Sequence, residues 1–248
     1  MVIDKEYYKM IFKRKSFRKF NDTLKLSNDE LRDIDEKVKN LISLVDNINV
    51  KYRIVRREET TCKRGEYCLL IYSEEKEKFL LNIGYMFEQL DLYLADKDIG
   101  VCWYGMGKTQ ELEYENLKFV IMMALGKGQP SEFRRDYTKC KRKETQEIWN
   151  GVSGLESIAE VVKYAPSACN TQSWRVVCEK NKLKIYRTTN IKSIMPKDKV
   201  AFYNSIDIGI FLYFLELALL YNHISFQRFL CKEQDKAQLI PIAIYNLI

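Results

Sequence analysis

Apolar positions recur along this chain at two periods, and the switch from one to the other predicts the elements. Ile3, Tyr7, Met10 and Ile11 share one helical face. Ser27-Asn28-Asp29-Glu30 places Ser at an N-cap and Glu three residues on, a capping box. It opens a helix with Leu31, Ile34, Val38, Leu41, Ile42 and Val45 at apolar positions. Residues 50–55 and 67–72 predict strands, the second without any charge. A long helix is predicted over 77–97, then strands at 99–104 and 119–125, the latter ended by Gly126. Gly128-Gln129-Pro130 starts an arm rich in Lys and Arg.

From about residue 151 the same order recurs. Leu155, Ile158 and Val162 repeat the spacing of Leu31, Ile34 and Val38. Tyr52-Arg53-Ile54-Val55 is echoed by Trp174-Arg175-Val176-Val177, and Ile71-Tyr72 by Ile185-Tyr186. Ile83-Gly84 and Ile208-Gly209 open two long helices, which Asp98-Ile99 and His223-Ile224 close at equal distance. The strand at 239–247 matches 119–125. This order predicts a divergent duplication of one α/β unit, with a first half over 1–150 and a shorter second half over 151–248. The halves differ in what they carry. Only the first has a basic segment, Arg14–Lys19, before its first helix, where the second has the linker 147–153. Only the second has the small-residue loop Ala165–Gln172.

Composition narrows the classes. A chain of 248 residues with 46% hydrophobic and 30% charged residues has the balance of a globular protein, not a disordered one. The formal charge of +7 suits nucleic acid, a phosphorylated cofactor or plain solubility. The aromatics Tyr85, Phe87, Tyr93, Phe211 and Phe214 fall at helical core spacing, which argues against a nucleic-acid partner. Seven cysteines, an odd number without any C-x-x-C, predict free thiols in a reducing cytoplasm. The polar start Met-Val-Ile-Asp-Lys-Glu is no signal peptide. The longest apolar run, 211–221, is broken by Glu216 and is too short for a bilayer, so it predicts a buried helix and no membrane partner. His223, the lone histidine, excludes a His-rich metal site, and no G-x-S-x-G elbow accompanies it.

Three stretches could carry chemistry. Arg14-Lys15-Ser16-Phe17-Arg18 offers three cations and a hydroxyl within five residues, which a phosphate monoester needs, although a solvated basic turn reads the same way. Gly105-Met106-Gly107-Lys108-Thr109 follows a strand, but a P-loop requires glycine where Cys102 stands. Its glycines instead let bare backbone approach something closely. The arm 133–143 carries Arg134, Arg135, Lys139, Lys141, Arg142 and Lys143, for a phosphate or for solvent.

These residues resemble a family. Residues 13–20 resemble the Arg-Arg-Ser-x-Arg-x-Phe element of FMN-dependent nitroreductases. Ala165-Pro166-Ser167-Ala168-Cys169-Asn170-Thr171-Gln172-Ser173-Trp174 resembles their Ala-Pro-Ser-x-x-Asn-x-Gln-Pro-Trp, with Ser173 in place of proline. Gly100-Val101-Cys102-Trp103-Tyr104-Gly105 resembles their Gly-x-x-x-Cys-Trp-x-Gly strand, and Ala124-Leu125-Gly126 the strand end before their C-terminal arm. Ordinary members hold both leading elements in one N-terminal segment and bind flavin between two subunits. Here about 150 residues separate the two elements, as in the subgroup where one chain contains two fused nitroreductase-like halves.

The resemblance implies an α+β, nitroreductase-like fold: mainly antiparallel central sheets flanked by helices, the halves packed as an intrachain pseudo-dimer. It implies that Arg14, Lys15, Ser16 and Arg18 hold the FMN phosphate and ribityl chain, with Lys141 or Arg142 as a further phosphate contact. Pro166, Ser167, Ala168, Asn170 and Gln172 would line the isoalloxazine, and the backbone of Gly105 and Met106 would face N5. The implied chemistry is hydride transfer from NAD(P)H through the flavin to a small-molecule acceptor such as a nitroaromatic or quinone, without a catalytic side chain or metal. One FMN per monomeric chain is expected, because the second half lacks a basic element. A flavin-binding sensor or carrier without turnover is the alternative.

Overall fold

The computed structural model describes residues 3–152, 154–232 and 237–248. Met1 and Val2 of the polar start, and Ser153 at the end of the expected linker, lie outside the described residues. A 3-10 turn, Lys5–Lys9, runs into a short helix α1 (Met10–Lys13), where the pattern predicted one helix. The capping box forms: Ser27 Oγ accepts from Glu30 N at 3.1 Å, and Glu30 Oε2 accepts from Ser27 N at 2.9 Å. It starts α2 (Asn28–Lys39), which stops before Leu41, Ile42 and Val45. Those residues are instead pinned as a loop. Asn82 Oδ1 accepts the N–H groups of Leu44 (2.8 Å) and Val45 (3.1 Å), while Gln89 pairs with both backbone groups of Ile42. Side-chain amides satisfy what a helix would otherwise satisfy, and Leu41 and Leu44 stay buried.

The first sheet is built from β1 (Val50–Arg56), β2 (Tyr67–Ser73), β3 (Ile99–Tyr104), β4 (Glu113–Tyr114) and β5 (Leu117–Lys127). Helix α3 (Phe79–Asp96) connects β2 to β3. The order is β1-β2-β5-β3, antiparallel throughout, with β4 folded against β5. β2 is buried on both faces, as its uncharged sequence requires. Leu69 and Ile71 join the main core, while Cys68, Leu70 and Tyr72 join a smaller one with Val55, Cys102, Met122 and Ala124.

A helical turn α4 (Thr145–Ile148) leads into β6 (Trp149–Val152), so most of the expected linker is ordered structure. Ile148 and Trp149 are buried, and this apolar pair draws the segment onto the second sheet. The expected division after residue 150 falls inside this strand. Helix α5 (Glu156–Val162), β7 (Trp174–Glu179), β8 (Lys182–Thr188), helix α6 (Lys197–Tyr221), β9 (Phe226–Leu230) and β10 (Leu239–Leu247) follow. The sheet order is β6-β7-β8-β10-β9, with only β6–β7 parallel. Leaving β6 aside, this is the strand order of the first sheet. β6 covers the outer edge of β7; the corresponding edge of β1 pairs with no strand among the described residues.

α3 and α6 pack against each other in the shared core. A Cβ placed on Gly84 would lie 2.0 Å from the Ile206 carbonyl oxygen, and one on Gly209 would lie 2.0 Å from that of Leu81. Past the ends of these helices, Asp98 (φ 56°) and His223 (φ 60°) both take the left-handed conformation. His223 therefore sits at a helix end. By length and composition α6 could cross a membrane, but 83% of its most apolar window is buried inside the protein, so it is a core helix. Trp174 stacks on Phe211 of α6 with ring centroids 5.0 Å apart.

Candidate functional site

The basic segment 14–18 runs beside β3. Ser16 bridges to Val101, and Phe17 N donates to Val101 O at 2.8 Å. The Phe17 ring fills the space a side chain on Gly100 would need. This leaves Ser16 and Arg18 exposed and lays the Lys15 ammonium over the Phe17 ring at 4.8 Å. Arg14 does something different. Its guanidinium turns inward, 1% exposed, onto Asp91, with Nε 3.1 Å and Nη2 2.9 Å from Oδ2, and Glu88 is 3.6 Å away. A residue expected to face a ligand is thus committed to two buried carboxylates. Trp103 Nε1 donates to the other oxygen of Glu88 at 3.2 Å. Burial, and then the neighbouring Asp91, push the Glu88 carboxyl well above its usual range.

Gly105 and Met106 form the turn after β3. A side chain on Gly105 would meet the Tyr203 ring at 2.6 Å, and the Tyr203 hydroxyl donates to the Gly105 carbonyl. The Met106 side chain is 84% exposed. Gly107-Lys108-Thr109 leads to β4 and not to a helix, in keeping with the exclusion of a P-loop.

The loop between α5 and β7 is shaped by its own side chains. Cys169, Asn170 and Gln172 all have positive φ, near 50°. Ala168 N donates to both oxygens of Asp207 at 3.0 Å, Thr171 Oγ1 donates to Asn204 at 2.9 Å, and Gln172 N donates to Ser167 Oγ at 3.1 Å. Asn204 and Asp207 lie on α6 beside Tyr203. One helical turn therefore supports the loop on one side and the Gly105 turn on the other. Asp207 occupies in α6 the place Asn82 occupies in α3, and each takes backbone N–H groups from the loop before a first strand. Burial raises the Asp207 carboxyl to about 8. Pro166 and Gln172 are buried, Ser167 and Ala168 half-buried, and Asn170 exposed.

The arm joins these pieces. Arg134 N donates to Lys13 O at 3.0 Å, and Phe133 packs on Phe17 at 4.7 Å. Further on, Arg142 donates to Asn170 Oδ1 (3.2 Å) and Tyr164 O (3.1 Å). Asn170 donates to Lys141 O (3.1 Å), and Lys143 N donates to Gln172 Oε1 (2.8 Å). Arg14, Arg134 and Arg142 lie close enough to perturb one another. Burial lowers the Arg142 guanidinium to about 10, with Arg134 and Arg14 adding to the shift, and burial followed by Arg14 lowers Arg134. Arg134 Nη1 and Arg142 Nε are buried donors that meet no acceptor among the described residues. A cluster of cations with open donors, in a low-dielectric setting, is a place for an anion.

Of the sequence-predicted residues, Lys141, Arg142, Asn170 and Gln172 are joined by hydrogen bonds. Arg14 reaches Arg142 electrostatically, and Ala168 is linked to Asp207. Lys15, Ser16 and Arg18 stay along β3, outside that network. Sequence reasoning named Arg134 only among the cations of the arm and did not select Tyr203, Asn204 or Asp207. The available signal was polarity: Asp207 stands in an apolar helix at the offset that pairs Gly84 with Gly209. A separate groove of about 700 Å³ lies between α2, β1 and the β4 turn. Its cations are already paired, Lys39 with Asp35 at 2.6 Å and Lys51 with Glu115 at 2.9 Å.

Comparison with known proteins bears on the family and the fold. Residues 6–219 match the family described as "Putative TM nitroreductase". A structure titled a putative nitroreductase from Thermotoga maritima is 18% identical, covers 98% of this chain and 93% of its own, and superposes with a TM-score of 0.62. A putative NADH oxidase from Clostridium acetobutylicum is 14% identical over 56% of this chain and 96% of its own, at a TM-score of 0.43. An FMN-dependent nitroreductase from Clostridium difficile is 12% identical over 54% and 98%, at 0.37. No curated protein matches the chain. With a family match over residues 6–219 and an α+β fold shared with the Thermotoga maritima structure across nearly all of the chain, the protein belongs to this nitroreductase family.

Proposed function

We propose that this protein is an FMN-dependent NAD(P)H oxidoreductase that reduces nitroaromatic, quinone or similar acceptors. The observation that carries the reading is the pair of open donors, Arg134 Nη1 and Arg142 Nε, beside a loop with three left-handed residues. The donor set fits a phosphate monoester: two guanidiniums depressed by burial and by neighbouring arginines gain most from a dianion. Arg134, Arg142 and Lys141 would hold the phosphate, with Ser16 and Arg18 from the segment beside β3. Arg14 acts from behind, holding Asp91 and Glu88 away from the phosphate.

Bound there, FMN would supply the redox chemistry, taking a hydride from NAD(P)H and delivering electrons to the acceptor. The protein's part is placement. The Ser167-Ala168 pair, anchored by Asp207, presents small side chains and leaves a flat face open. Tyr203 fixes the Gly105 carbonyl, so the N–H groups of the Gly105–Met106 turn stay oriented towards developing negative charge. The Asn170 and Gln172 amides, expected to line the ring, are spent on Arg142, Lys141, Lys143 and each other, so they brace the loop against the arm.

The two halves, in this reading, form an intrachain pseudo-dimer with one FMN per chain. Supporting it are the common strand order, the reciprocal glycines, and the shared role of Asn82 and Asp207. In the loop 40–49 the place of the second-half site loop is taken by apolar residues packed under Asn82 and Gln89, which suits a single site. The test is direct. Purified protein shows flavin absorbance, or gains it on adding FMN, at about one equivalent per chain, and NADH or NADPH bleaches it anaerobically. A colourless protein indifferent to FMN refutes the reading. Flavin that binds but is not bleached by either nucleotide assigns a carrier or sensor.

A further inference from the structure

Next to the Gly105–Thr109 turn lies a group of side chains that this chemistry does not use. Cys62, Cys68 and Cys102 are buried in the smaller core of the first sheet. Thr60 Oγ1 lies 3.5 Å from Cys68 Sγ and accepts the Cys62 N–H at 3.0 Å, so one hydroxyl ties the two residues together. The Cys62 and Cys68 thiols are close enough to perturb each other's titration. Cys62 Sγ also lies 3.5 Å from Arg64 O, and Arg64 Nη1 donates to Cys102 Sγ at 3.1 Å. The neighbouring Cys68 thiol lowers the Cys62 thiol to about 7, with help from Arg64 and Arg57. Cys62 and burial together push Cys68 up. One sulfur is thus poised as a nucleophile while its neighbour keeps its proton. Among the described residues no group of three metal-ligating side chains forms, so the cluster is not a metal site.

We propose that Cys62 and Cys68 are a redox modification site that closes to a disulfide on exposure to hydrogen peroxide. The Cys62 thiolate attacks one peroxide oxygen; the O–O bond breaks, and hydroxide leaves and is protonated to water. The resulting Cys62 sulfenic acid is attacked by the Cys68 sulfur. An S–S bond forms, the S–O bond breaks, and the oxygen leaves as water with the Cys68 proton. Two thiols lose two electrons and one peroxide becomes two waters.

The site is mechanically tied to the turn beside it. Thr61 N donates to Lys108 O at 2.9 Å, Lys108 N donates to Thr61 Oγ1 at 2.8 Å, and Thr60 bridges to Thr109. Drawing the two sulfurs in to about 2.05 Å moves the loop at 60–62 toward β2 and strains these bonds.

The test is differential alkylation and peptide mass mapping of the full chain after peroxide, on the native sequence and on Cys169→Ser, which removes the exposed competitor. The expected product is a Cys62–Cys68 cross-linked peptide, two hydrogens lighter and reopened by dithiothreitol. In Cys68→Ser, dimedone traps the Cys62 sulfenic acid; in Cys62→Ser, Cys68 stays unreactive. Amide exchange at 107–109 speeds up at least about tenfold in the oxidised protein, as a loosened local unit should. A Cys62 that stays reduced under peroxide, or that oxidises without joining Cys68, overturns the proposal. Unchanged exchange at 107–109 overturns its coupling to the turn. None of these readouts involves flavin, so their failure is distinct from failure of the proposed function.

Discussion

Gly84 of α3 and Gly209 of α6 face each other's helices, each leaving room for a carbonyl three residues before the other. Helix propensity alone says that alanine at either position should stabilise by about 1 kcal/mol. A methyl 2.0 Å from a backbone oxygen says the opposite. Overpacking of a dense core costs about 1–3 kcal/mol and backbone cannot step aside as a side chain can. Gly84→Ala and Gly209→Ala should therefore each lower the melting temperature, by roughly 2–12 °C for a chain this long. Thermal unfolding that is unchanged or raised would show that the helices do not meet at these residues.

The arginine cluster makes a prediction about binding. Arg142→Ala should weaken FMN about 10- to 100-fold, the range for losing a charge-assisted contact to phosphate. Arg134→Ala should do likewise. Arg142→Lys should recover only part, because an ammonium does not reproduce the planar fork that reaches Tyr164, Asn170 and the phosphate together. Flavin fluorescence titration of each variant gives these constants. Equal affinity in all of them would remove the phosphate from this cluster.

Asp207 predicts a pH dependence. Its carboxyl titrates near 8 in the folded chain, against about 4 when unfolded. Between those values the folded state binds the extra proton, so its contribution favours folding at low pH and is lost as pH rises from about 4 to about 8. Asp207→Asn keeps an oxygen for Ala168 N–H, as Asn82 does for Leu44 and Val45, and carries no charge. Urea unfolding at several pH values should show the variant gaining on the native chain as pH rises through this window. Parallel stability curves for the two proteins would contradict the assignment.

Much of this was legible in the sequence. The capping box, the uncharged β2 and the long helix expected over 77–97 formed where their residues placed them, because each depends on local pattern; the second long helix instead starts at Lys197, so Ile208-Gly209 lies in its middle and does not open it. Arg14 shows where that stops. Nothing near residue 14 says that Asp91 and Glu88 will arrive beneath it, so a cation that looked ready for phosphate turned into the core. The apolar run Leu41–Val45 was mistaken for helix because Asn82 and Gln89, some forty residues away, supply its backbone partners. Trp149 looked like linker because a four-residue parallel strand has no period of its own.

Ser173, which stands where the related loops have proline, is fully buried and its hydroxyl has no partner among the described residues. Burying a hydroxyl without a partner carries a cost. Ser173→Ala should leave stability unchanged or raise it by up to about 1 kcal/mol, with FMN binding intact. A clear loss of stability in denaturant titration would mean the hydroxyl has a partner after all.

The open edge of β1 has a consequence for how the protein behaves at high concentration. β6 lies along the outer side of β7, whereas β1 is itself the outer strand of its sheet, and among the described residues no strand pairs with its far side. Its sequence, Val-Lys-Tyr-Arg-Ile-Val-Arg, alternates cations with apolar residues, and Lys51 and Arg53 keep acidic partners from their own chain. An incoming strand would have to break those pairs and bring its own backbone up against charge. The arrangement guards this edge of the first sheet against edge-to-edge aggregation.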